Sequence, residues 1–166
     1  MGAITSIRMD TNDADLPKGM IYRDNCISET LEHEVATRIE QLDLKPVEMF
    51  GQVTKRLVAQ FGVNFPYGGV VHDNPAPFPS WLIEFRRIIA DVVPIPPEKF
   101  RSLIVQKYPA GAGIGWHRDD EDLYGVVVGA SLGGPCRMLF RRAKGERARR
   151  KDLAPRSIYV LAGAAR

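Results

Sequence analysis

Cysteine is scarce in this chain, and what little there is argues against two classes at once. Cys26 and Cys136 lie far apart with no CxxC pairing, which excludes a disulfide scaffold and a zinc ribbon and suits a reducing cytoplasm. Long apolar runs are missing as well. No stretch approaches the roughly 18–20 uninterrupted apolar residues of a membrane span, so no membrane partner is expected. The amino terminus lacks the basic-then-apolar layout of a secretory signal, and no internal repeat or low-complexity tract occurs. Histidine is limited to three residues, which matters for any metal chemistry.

What is present reads as a globular, turn-rich protein. The apolar fraction is 45%, with 15 Gly and 12 Pro scattered between apolar runs, and 166 residues fit a single domain with a sizeable core. Charge is lopsided although the net is only +3: residues 137–151, "RMLFRRAKGERARRK", hold eight Lys or Arg and one Glu. One face is therefore expected to be strongly basic.

Periodicity divides the domain into three stretches. Residues 1–27 show no clear period and read as an extended lead-in. Residues 28–97 hold two helices. The first has Ser28 as N-cap and an apolar stripe of Leu31, Val35, Ile39 and Leu42, and it stops at Lys45-Pro46. The second spans 80–92, with Ser80 as cap and a stripe of Leu82, Phe85, Ile88, Ile89 and Val92, before "PIPP" breaks it. Residues 47–67 between them are β-like. Residues 98–166 hold strands alone: "FRSLIVQKY", "LYGVVVGASL", "CRMLFRR" with "AKGE" as a hairpin turn, and "SIYVLAG". Two helices followed by closely spaced strands imply an α+β fold with the helices on one side of an antiparallel sandwich or barrel.

The segment "YPAGAGIGWHRDDED" carries the candidate chemistry. On an extended backbone, residues two apart project from the same face, so His117 and Asp119 can offer an imidazole nitrogen and a carboxylate oxygen to one ion. Alone, an HxD pair is a weak signal that more often marks an ordinary polar loop beside solvated acids.

The wider strings are more specific. "VQKYPAGAGIGWHRDDED", "YGVVVGASLGGPCRMLFRR" and "LAPRSIYVLAGAAR", in that order, with "KRLVAQFGVNFPYG" upstream, closely resemble the AlkB family of Fe(II)- and 2-oxoglutarate-dependent dioxygenases from about residue 50 onward. The resemblance implies a double-stranded β-helix (jelly-roll) core and oxidative dealkylation of N-alkylated bases, with alkylated DNA or RNA as partner. It also implies that His117 and Asp119 are iron ligands, that Tyr108 and Gln106 contact 2-oxoglutarate, and that Glu121 contacts the flipped base. By the same resemblance Phe65 and Tyr67 fall on the aromatic lid, for which core packing is the competing reading. Gln106 stands where many members have asparagine, and Phe65 replaces a frequent tyrosine.

The basic run, including Arg141, Arg142 and Lys144, is the candidate grip on phosphates around an extruded base, against the alternative of a merely solvated hairpin. In the resembled family a second iron histidine follows the "LAGAAR" segment by a few residues, and a cosubstrate arginine comes later. Neither is in this chain, and His33 and His72 read as surface residues. The closing strands are thus expected to be missing, and the chain alone is expected to show no succinate production. Competing expectations are a non-catalytic nucleic-acid-binding β-domain and an oxygenase acting on a protein or small molecule. A cytoplasmic monomer is expected.

Overall fold

The computed structural model describes residues 16–49, 52–63, 76–93, 95–119 and 125–166. The chain divides into two compact units, residues 1–33 with 118–166, and residues 34–117.

The first unit is built on a three-stranded antiparallel sheet whose middle strand is the most apolar one. Strands β1 (Met20–Arg23), β5 (Val126–Ser131) and β8 (Ser157–Ala162) lie in the order β1-β8-β5. In β8, Ser157, Ile158, Val160 and Leu161 are all buried, as expected of a central strand with apolar side chains on both faces. A two-stranded ribbon, β6 (Cys136–Phe140) and β7 (Arg149–Leu153), sends Met138, Phe140 and Leu153 into one core with Met20, Leu161 and Ala165. Strand β1 lies in the stretch read from sequence as an unpatterned lead-in. Four residues are too few to register a period, yet Met20 and Tyr22 turn to that core while Met20↔Leu161 to Arg23↔Ile158 pair with β8.

The second unit has a sheet of order β2-β3-β4, from β2 (Lys45–Met49), β3 (Gln52–Gly62) and β4 (Ser102–Lys107), all antiparallel. Helix α2 (Ser80–Val92) buries Leu82, Phe85, Ile89 and Ala90. Leu82 meets Phe61 and Val105 in a core that Ala59 and Leu103 extend along the sheet. Ser80 does not cap α2, contrary to expectation: Pro79 occupies the N-cap position and its carbonyl accepts from Leu82 and Ile83, so Ser80 is the first helical residue.

Helix α1 (Glu29–Glu40) begins in the first unit and ends in the second. Ser28 caps it as expected, its hydroxyl accepting from the Leu31 amide at 3.2 Å. Its first turn is clasped within the first unit, because the Glu32 carboxylate accepts from the Gly133 amide at 2.9 Å and pairs with Arg156 at 3.1 Å. No described helix is long and apolar enough to cross a membrane. Two helices and predominantly antiparallel strands agree with the mixed α and β class read from the sequence.

Candidate active site

Alternation on β3 and β4 separates two environments. Ala59, Phe61, Leu103 and Val105 face the helices, which leaves the opposite parity, including Arg56 and Gln106, on the other side of the sheet. There Arg56 is fully buried, and its Nη1 donates to Gln106 Oε1 at 2.8 Å. Tyr108, just past the end of β4, donates its phenol proton to the same oxygen at 2.8 Å. The two residues assigned by resemblance to the cosubstrate are therefore hydrogen-bonded to each other, and Gln106 also accepts from a cation that sequence reading overlooked. Lys55 and Arg56 are adjacent and chemically alike, yet Lys55 is exposed and Arg56 is buried, and the sequence offers no signal as to which.

The backbone beneath Arg56 is locally irregular. A register shift between Pro46 and Glu48 takes Val47 out of the ladder, and its amide donates instead to the Thr54 hydroxyl at 3.3 Å. That hydroxyl donates in turn to the Arg56 carbonyl at 3.0 Å.

After Tyr108 the chain turns at Pro109–Ala112, where Gly111 has φ +76°, and runs as an irregular segment through Trp116 to Asp119. His117 and Asp119 are thus on no strand. His117 is exposed, and its Nδ1 lies 2.8 Å from the Gly115 carbonyl oxygen. A carbonyl can only accept, so Nδ1 carries the proton and the neutral ring's lone pair is on Nε2. Asp119 is half-buried. His117 closes the second unit, and Arg118 and Asp119 belong to the first.

The ribbon β6–β7 sorts the basic run into two groups. On its outward strand faces, Asp152 accepts from Arg137 Nε at 3.3 Å and from Arg150 Nε at 2.9 Å and also pairs with Arg150 Nη2. The hydrogen bonds from Arg150 hold the Asp152 carboxyl below its ordinary pKa, with Arg137 adding to the effect. Lys151 turns the other way and lies 4.0 Å from the centre of the Tyr22 ring. In the loop, which turns through Gly145 at φ +92°, Arg142, Lys144 and Arg147 are exposed and Arg141 is half-buried. Arg141, Arg142 and Lys144 thus lie in the loop rather than on the strands, and Asp152 is a second residue that sequence reading missed.

Other expected residues do not enter this picture. Phe65, Tyr67, His72 and Glu121 lie outside the described residues. His33 is exposed on α1.

The family model of the 2OG-Fe(II) oxygenase superfamily matches residues 31–166. The chain belongs to that superfamily. Among curated proteins, none matches the chain. As a 2OG-Fe(II) oxygenase it is a dioxygenase whose cofactors are Fe(II) and 2-oxoglutarate. The donor chemistry of this oxygenase fits iron in part. An imidazole presenting Nε2, with Nδ1–H fixed by a backbone carbonyl, is the arrangement metal-bound histidines adopt. Among the described residues, no three His, Cys, Asp or Glu side chains gather where they could share one ion.

Proposed function

We propose that this oxygenase is of the AlkB type, with a double-stranded β-helix core, and oxidatively removes alkyl groups from nitrogen atoms of nucleobases in DNA or RNA. The observation that carries the nucleic-acid part is the β6–β7 loop, where Arg142, Lys144 and Arg147 stand exposed on one short turn. Phosphates are the common polyanionic ligand that rewards such a concentration of cations.

Bound iron and 2-oxoglutarate would supply an oxidation by O2, one oxygen atom going to the decarboxylating cosubstrate to give succinate and CO2 and the other to the N-alkyl carbon, so that an N-methyl group leaves as formaldehyde and the base nitrogen keeps a proton. The chain's own groups bind and orient. His117, through Nε2, and Asp119 hold the iron. Gln106 and Tyr108 bind the cosubstrate. Glu121, Phe65 and Tyr67 receive the extruded base by edge contact and stacking. Arg141, Arg142 and Lys144, with Arg147, hold the flanking phosphates.

Two binding measurements test this reading. A fluorescent single-stranded oligonucleotide carrying 1-methyladenine or 3-methylcytosine should bind with log K falling linearly in log salt, by about 0.7 per phosphate contact. Arg142→Glu with Lys144→Glu should weaken binding about tenfold or more and flatten that slope. Salt-independent binding, or none, sinks the nucleic-acid reading and favours a protein or small-molecule substrate. Fe(II) should quench the fluorescence of Trp116, which neighbours His117; persistence of that quenching in His117→Ala removes His117 from the iron site.

A further inference from the structure

Arg56 has no part in the chemistry just outlined, yet it is the described charged side chain with no exposed surface. Its contact is chemically unambiguous. A guanidinium has five N–H donors and no acceptor, so the Gln106 amide atom 2.8 Å from Nη1 has to be the oxygen. The Tyr108 phenol donates to that same oxygen at 2.8 Å. With both donors on Oε1, the amide plane is pinned and the NH2 is the end of exposed Gln106 turned away from the pair. This polarity has a consequence for ligands. An ionised carboxylate only accepts hydrogen bonds, so it can use the amide NH2 and is repelled by the amide oxygen.

We propose that Arg56 is a positioning residue for the cosubstrate. It fixes the Gln106 side chain with NH2 toward a carboxylate of 2-oxoglutarate, and it keeps that orientation when the Tyr108 phenol redirects its proton to the ligand. The proposal rests on the reading in which Gln106 and Tyr108 contact 2-oxoglutarate. It accounts for glutamine at this position: the longer side chain gains reach but also one more rotatable bond, and a buried, immobile donor removes the added freedom. Lysine at 56 would not serve equally, because its single ammonium lacks the planar fork that defines an amide's orientation.

The test reads Gln106 directly by NMR of the nitrogen-15-labelled chain without metal, its NH2 signals assigned by their loss in Gln106→Ala. In the unaltered chain the two protons should give a resolved, slowly exchanging pair; in Arg56→Lys and Arg56→Met they should shift and exchange at least about tenfold faster. Titrated 2-oxoglutarate should move the same signals, and its affinity should fall about tenfold in either Arg56 variant. In Gln106→Ala the affinity should fall equally, and Arg56→Lys added to Gln106→Ala should cost nothing further.

Losses that multiply in the double variant mean that Arg56 acts through general packing and overturn the proposal. So do Gln106 signals indifferent to Arg56→Lys. If Arg56→Met does not fold, Arg56→Lys, checked by circular dichroism, decides alone. If 2-oxoglutarate leaves the Gln106 signals of the unaltered chain untouched while Arg56→Lys still shifts them, the cosubstrate reading fails and the pinned amide survives it.

Discussion

At the scale of single residues, the described charges differ in how far they are already engaged. Asp152 pairs with Arg137 and Arg150, so these two cations are less available to an anionic partner than Arg142, Lys144 or Arg147 in the adjoining loop. Asp152→Asn should therefore raise the affinity for a single-stranded oligonucleotide about two- to fivefold and steepen its salt dependence, measured by anisotropy; unchanged affinity would show that both arginines already reach the phosphates. The sign with pH follows from the lowered pKa of Asp152. A depressed carboxyl stays ionised, and its pairing intact, through neutral pH and below the ordinary carboxylate value, and the pairing is lost only as pH falls through the folded pKa. Weak acid should thus leave the Asp152→Asn difference unchanged.

Cys26 offers a second residue-scale contrast. Burial pushes its thiol above the ordinary value, so it remains protonated and unreactive at neutral pH. Cys136 is exposed. Alkylation followed by mass spectrometry should label Cys136 well before Cys26, and equal rates would mean that the segment around Cys26 opens readily.

At the scale of elements, the clasp between α1 and two turns is the contact most exposed to single substitutions. Arg156 has a left-handed backbone, φ +63°, and its guanidinium meets Glu32, whose other carboxylate oxygen holds the Gly133 amide. Glu32→Ala removes a charge-assisted pair and a backbone acceptor together and should cost about 1–3 kcal/mol in denaturant unfolding. A double-mutant cycle with Arg156→Ala should show coupling, since the two share one contact. In the second unit Leu82→Ala, deep between α2 and the sheet, should cost about 2–5 kcal/mol. Gly129 is tight for a different reason: it pairs with Tyr159 across β5 and β8, and a Cβ there would run into the tyrosine ring. Gly129→Val should destabilise more than Val128→Ala, whereas a simple loss of β-branched surface would rank them the other way.

At the scale of the molecule, the question is whether net charge or its placement governs binding. The sum is only +3, while residues 137–151 concentrate eight cations with one acid. Reversing Arg142, Lys144 and Arg147 to Glu should weaken oligonucleotide binding at least about tenfold more than reversing the equally exposed Lys18, Lys55 and Lys99, although both variants change net charge equally. Equal losses would show that binding follows total charge alone.

Much of the architecture was legible before any coordinates. Helix α2 carries its stripe at helical spacing, Ser28 caps α1 through the bond a serine makes there, and strands β4, β5, β6 and β8 fall within alternating or continuous apolar runs, whereas the charged β7 showed no such pattern. These are local properties, set by side-chain period and backbone preference within a few residues, and so is the HxD spacing of His117 and Asp119. Strand β1 was too short to declare a period, and its pairing with β8 joins residues more than a hundred positions apart. Separation in sequence likewise hides the partnership of Arg56 with Gln106, 50 residues apart, and of Glu32 with Arg156, 124 apart. Composition and local pattern alone therefore establish which segments are helical or extended and which residue types are available for chemistry. Which of two adjacent cations is buried, and which amide it orients, depends on non-local packing of one sheet face, and that is encoded only in the folded arrangement.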